Sequence, residues 1–138
     1  MAQYRRLNSY FGQPFVFNLL ENYGATNGLY GRIDEINSLP FDARRMVGST
    51  MIGIGMTPEG IPPSMNDAVY DLMIEMSWRR KPVDDLNRWF RLFAQRRYGF
   101  DSGKFNGSQS LSACMKSLEM SWEILAQSAF NCKVPLFR

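Results

Sequence analysis

The chain has no histidine. That absence removes serine–histidine and cysteine–histidine nucleophile pairs, and with them the commonest ligand of catalytic zinc. Cysteine is nearly as scarce. Cys114 and Cys132 stand 18 positions apart with no C-x-x-C, a spacing open to one disulfide but favouring two buried thiols. Long apolar runs are missing too: the longest, over residues 15–20, is broken by Asn18, so no membrane span is expected. The opening MAQYRRLNSY carries a basic pair without the apolar core of a signal peptide. An excess of one charge is also lacking. Sixteen basic against 13 acidic residues leave a net +3, too little to indicate a nucleic-acid partner. What remains is 138 residues, 45% hydrophobic and 21% charged, a globular composition of one domain's length. Any chemistry must come from carboxylates, tyrosines or hydroxyls, and no metal or organic cofactor is implied.

Residues 14–20 (PFVFNLL) are compact, apolar and aromatic, and read as a buried strand. A glycine-punctuated loop follows. Residues 32–38 and 41–46 then read as two short helical pieces separated by Pro40. Residues 50–56 (TMIGIGM) read as a second strand, with Ile52, Ile54 and Met56 on one face and Met51, Gly53 and Gly55 on the other. Glycines sharing a strand face mark a close approach to the backbone or a tight barrel corner.

From Ser64, a natural N-cap, the period becomes helical, with Met65, Ala68, Val69, Leu72, Met73 and Met76 in one stripe. A further helix is expected over residues 84–98, with Leu86, Trp89, Phe90 and Phe93 inward and Gly99 as terminator. The last covers residues 111–129, with Leu111, Cys114, Leu118, Leu125 and Ala129 inward. Strand, helix, strand, helix in that order argues for parallel strands joined by crossovers. Two strands cannot cover their own faces and edges, so the chain reads as part of something larger.

Glu59 is the residue that stands out. It follows the glycine-bearing strand, where α/β barrels carry their catalytic groups, and Pro58 and Gly60 hold it on a short defined turn. On the local sequence alone, a plain surface carboxylate in a turn is the commoner reading. Glu21 and Asn22 occupy the corresponding position after the first strand. The basic series Arg88, Arg91, Arg96 and Arg97, preceded by Arg79, Arg80 and Lys81, reads as a solvated helix face. Trp78, Trp89 and Trp122 read as core. Asn106-Gly107-Ser108 fits the N-glycosylation pattern.

Four blocks carry a resemblance: YRRLNSYFGQPFVF, LLENYG, STMIGIGMTPEGI and NDAVYDLMIEMSWR. Together they are similar to the alpha-N-acetylglucosaminidase family of glycoside hydrolases. The likeness continues more loosely through RWFRLFAQRRYG and Phe130-Asn131-Cys132. It implies an α/β chain supplying the last two βα units of a (β/α)8 TIM barrel over residues 1–80. Residues 81–138 would begin an all-helical domain.

The resemblance also implies a retaining hydrolase that removes terminal α-linked N-acetylglucosamine. Glu59 falls at the family's nucleophile. The acid/base glutamate belongs to an earlier strand with no counterpart here, so the chain alone is expected to be inactive. Where the family reads L-H-N-F-G/A-G, this chain has Leu20-Glu21-Asn22-Tyr23-Gly24-Ala25. Leu20 and Asn22 thus match proposed substrate-pocket positions, while Glu21 replaces a histidine.

The implied partner is a glycan of the heparan type, with no nucleic acid and no membrane, and the implied location is lysosomal or secreted. An uncovered barrel edge is expected to associate with other chains. The competing reading is a truncated, non-catalytic interaction protein that keeps this piece of the fold.

Overall fold

The structure, a computed structural model, describes residues 2–20, 29–57, 67–99 and 109–132. In chain order come the short turns α1 (Gln3–Arg6) and α2 (Asn8–Phe11), strand β1 (Phe15–Leu20), helix α3 (Ile33–Arg45) and strand β2 (Met51–Thr57). Helices α4 (Asp67–Met76), α5 (Leu86–Tyr98) and α6 (Gln109–Gln127) follow, with a closing 3-10 turn at Ala129–Asn131. Among the described residues the sheet has two strands, β1 and β2, and they run parallel. This is the pairing that the alternation of strand and helix calls for. Ser64, the expected N-cap of α4, lies outside the described residues, as does Asn106.

The expectation of two helical pieces around Pro40 is corrected. One helix of 13 residues runs through it. Proline lacks the N–H and crowds the carbonyl four residues back, yet here the ring is fully buried, so tertiary packing overrides the local cost. The ends of α3 suit its dipole, with Asp34 and Glu35 in the first turn and Arg44 and Arg45 in the last. Helix α5 ends at the expected Gly99, with φ 68°, and starts at Leu86 behind a cap, Asp85, that accepts from the Arg88 N–H at 2.9 Å.

Helices α5 and α6 run antiparallel, joined by a ladder with a four-residue step. Gln95 donates to Glu119, Arg91 pairs with Glu123, and Gln127 reaches Asn87. Behind the ladder Trp122, Leu125, Ala126 and Phe130 join the core. The expectation that Cys114 points inward is corrected, because its side chain is exposed. One further step of the ladder would set position 115 against Gly99, so Cys114 lies past the last turn of α5. The two cysteines are not joined in a disulfide.

A single apolar cluster unites Ile33, Ile36 and Phe41 of α3, the inner face of α4, Val83, the aromatics of α5, Ala126 and Phe130. It draws on residues either side of position 80. Phe90 is its hub, with ring centroids 5.0 Å from Trp89, 5.6 Å from Phe130 and 6.4 Å from Trp122. Trp78 departs from its expected place in the core and is 66% exposed. It sits past the end of α4, beyond the reach of the packing stripe. The basic series is largely knitted into the surface: Arg79 pairs with Glu75, Arg97 with Asp67 at 2.6 Å, and Arg96 lies over the Trp89 ring.

One segment breaks the usual handedness. Asn8, Ser9, Tyr10 and Phe11 have φ of 43°, 56°, 51° and 57°, a turn of left-handed helix that costs L-residues roughly 1–2 kcal/mol each. It is pinned by Thr50. The buried Ser9 hydroxyl accepts from the Thr50 N–H at 2.8 Å, and the Thr50 hydroxyl donates to the Gln13 carbonyl at 2.6 Å.

Candidate active site

The register pairs Val16 with Gly53, Phe17 with Ile54, Asn18 with Gly55, Leu19 with Met56 and Leu20 with Thr57. Because strand side chains alternate between faces, the two sides of this ribbon have different environments. Phe17, Leu19 and Ile54 pack against the helical core, and Phe15 and Phe17 also meet the Tyr4 ring. The other face carries Val16, Asn18 and Leu20 beside Gly53, Gly55 and Thr57, and the three β1 side chains on it are exposed.

Parallel strands end at the same rim. Leu20 and Thr57 are Cα partners at the final position of the ladder. Asn22 follows Leu20 by two residues and Glu59 follows Thr57 by two. Asn22, Glu21 and Glu59 lie outside the described residues. Of the three proposed site residues, the structure therefore describes Leu20 alone: it is the last residue of β1, 39% exposed, on the open face.

Two residues at this rim were not singled out from the sequence. The Asn18 Nδ2 donates to the Thr57 Oγ1 at 2.9 Å, crossing from one strand to the other. The Asn18 carboxamide lies over Gly55, where a Cβ would come within 2.6 Å of the Oδ1. The sequence signal was the pair of glycines on one strand face. At Gly55 the close approach they announce is real, whereas at Gly53 the nearest atom is a Val16 methyl at 3.7 Å.

A cleft of about 410 Å³ opens beside β1, lined by residues 17–20 and 30–32 together with Glu35, Ile36 and Leu39. Its charges are matched, since Arg32 pairs with Glu35. Among the described residues no group of histidine, cysteine, aspartate or glutamate is arranged to hold a metal ion. No described helix is long and apolar enough to cross a membrane.

Two comparisons with known proteins bear on this chain. The family model for the alpha-N-acetylglucosaminidase (NAGLU) TIM-barrel domain matches residues 1–80. Human alpha-N-acetylglucosaminidase is 41% identical over 132 residues, which is 94% of this chain and 15% of the human protein. The chain thus spans about 15% of the length of the curated relative it matches.

Proposed function

We propose, since this chain belongs to the alpha-N-acetylglucosaminidase family, that it supplies the nucleophile-bearing end of a glycoside hydrolase barrel. In this reading residues 1–80 form the last two βα units of the (β/α)8 barrel and residues 81–138 begin a helical domain. The substrate is a glycan ending in α-linked N-acetylglucosamine, and the reaction retains configuration. Lysosomal or secreted placement goes with the family.

In a retaining hydrolase two carboxyl groups flank the bond, about 5 Å apart. The Glu59 carboxylate attacks the anomeric carbon and the glycosidic bond breaks as a second carboxylic acid protonates the departing oxygen. That second group then draws a proton from water, which displaces Glu59 and releases the sugar. The second group comes from an earlier barrel strand. Leu20 and Asn22 shape the wall of the sugar pocket beside the nucleophile.

The observation that carries this reading is the parallel pair itself. Its last register position, Leu20 with Thr57, brings the segments leading to Asn22 and Glu59 to one rim, the side of an α/β barrel where catalytic loops sit. The test replaces Glu59 by alanine in the barrel-complete enzyme, with an aryl α-N-acetylglucosaminide as substrate. Turnover should be lost, and added azide should restore it with a β-glycosyl azide as product. Full activity in Glu59→Ala would overturn the assignment. The 138-residue chain alone should show no turnover, and robust hydrolysis by it would refute the need for an outside acid/base.

A further inference from the structure

We infer that Asn18 and Thr57 are positioning residues for the Glu59 carboxylate, acting through their cross-strand hydrogen bond over Gly55. This rests on the reading of Glu59 as the nucleophile.

Three local facts need a common reason. Asparagine is a poor strand former, yet Asn18 sits inside the apolar run FVFNLL. Glycine is a poor strand former as well, yet Gly55 is its register partner. Neither Asn18 nor Thr57 is buried, so no desolvated group demands that either be paired. The geometry joins the three. Glycine at 55 leaves the space in which the Asn18 Oδ1 rests, since a Cβ there would lie 2.6 Å from it. In that position the Nδ2 reaches the Thr57 hydroxyl at 2.9 Å.

Thr57 is the last residue of β2, and the residue after it is Pro58. A proline has no N–H with which to extend the ladder, and position 57 is the last register partner of β1 among the described residues, two positions before Glu59. Two restraints already act there: the residue before a proline is confined to extended conformations, and the proline fixes its own φ. Threonine is stiff at χ1, and the bond from Asn18 holds its Oγ1 in a single rotamer. Together these set the direction in which the chain leaves the strand toward Glu59. A displacement of about 1 Å at a reacting atom costs on the order of 100-fold in rate, so a strut at this point acts on turnover more than on binding.

The test has two arms. In the 138-residue chain, ¹⁵N relaxation at the Glu59 amide is compared among wild type, Thr57→Val, Asn18→Val and Thr57→Ser. Both valine variants place a β-branched strand former at the position while deleting one half of the bond. They should loosen the Glu59 amide, and Thr57→Ser, which keeps the hydroxyl, should restore it. In the barrel-complete enzyme, each valine variant should lower kcat by about 10- to 100-fold with KM within about twofold. The double variant should cost no more than either single one, because they remove the same bond.

Unchanged relaxation and kcat in both valine variants would overturn the proposal. So would a Thr57→Ser enzyme as impaired as Thr57→Val, or a rise in KM with kcat intact. Undiminished turnover by Glu59→Gln would instead sink the nucleophile assignment, and the relaxation comparison would still decide whether the strut orders that residue.

Discussion

Asn37 holds the backbone of Val83 as a neighbouring peptide would. Its Nδ2 donates to the Val83 carbonyl at 3.0 Å, and its Oδ1 accepts the Val83 N–H at 2.7 Å. Both residues are buried. The pair ties helix α3 to the connection between α4 and α5, and so fastens the strand-bearing part of the molecule to its helical part. The C-terminal turn adds a second tie, since the Gly31 N–H donates to the Phe130 carbonyl at 3.1 Å.

Asn37→Leu should therefore destabilise the fold by about 2–6 kcal/mol, because two buried backbone groups lose their partner at ~1–3 kcal/mol each. Urea unfolding should show a lowered midpoint with an unchanged slope. A change below about 0.5 kcal/mol would show that the two groups find other partners.

The two strand glycines should respond differently to alanine. Gly53→Ala meets a Val16 methyl at 3.7 Å, an ordinary contact, and should shift stability by less than about 1 kcal/mol. Gly55→Ala forces the Asn18 carboxamide to rotate away from Thr57. The Asn18 side-chain amide resonances should move in Gly55→Ala and stay in place in Gly53→Ala. Identical spectra for the two variants would contradict this.

Phe90 and Arg91 are neighbours in sequence with unequal weight. Phe90 is fully buried among stacked rings, and Phe90→Ala should cost about 3–5 kcal/mol. That is a large part of a typical domain's stability. The Arg91 ion pair with Glu123 is partly exposed, so Arg91→Ala should cost no more than about 1 kcal/mol. Thermal melts of the two variants compare them directly.

Thiol labelling should separate the cysteines. Cys114 is exposed and Cys132 only partly so. A maleimide should modify Cys114 promptly in the folded protein and Cys132 more slowly, with two free thiols counted in denaturant. Protection of Cys114 would mean that something covers the first turns of α6.

The strands were legible in the sequence because their apolar runs are short and bounded by turn residues, and the alternation of strand and helix fixed their parallel sense. The end of helix α5 was legible in Gly99, whereas its cap, Asp85, emerged only from the hydrogen bond to the Arg88 N–H. Pro40 misled because a local rule against proline was outweighed by burial of its ring. Cys114 misled because helical periodicity does not tell where the partner helix stops. Asn37 and Asn18 read as unremarkable polar residues, since each finds its partner 46 and 39 positions away respectively. At the proposed site, Glu59 stood out by its place after the glycine-bearing strand, while Leu20 and Asn22 came from the resemblance to the family's motif. The strut between Asn18 and Thr57 needed the register, which no single strand reveals.

The inverted turn at Asn8–Phe11 has local backbone hydrogen bonds, but no residue of it favours the left-handed region. None of those four residues is a glycine, and the groups that pin it belong to Thr50, 41 positions downstream of Ser9. Cut off from that anchor, the same stretch would relax to ordinary right-handed geometry. The hand of this turn is thus set by the residue that leads into β2, and parting Thr50 from Ser9 and Gln13 would remove the contacts that hold it.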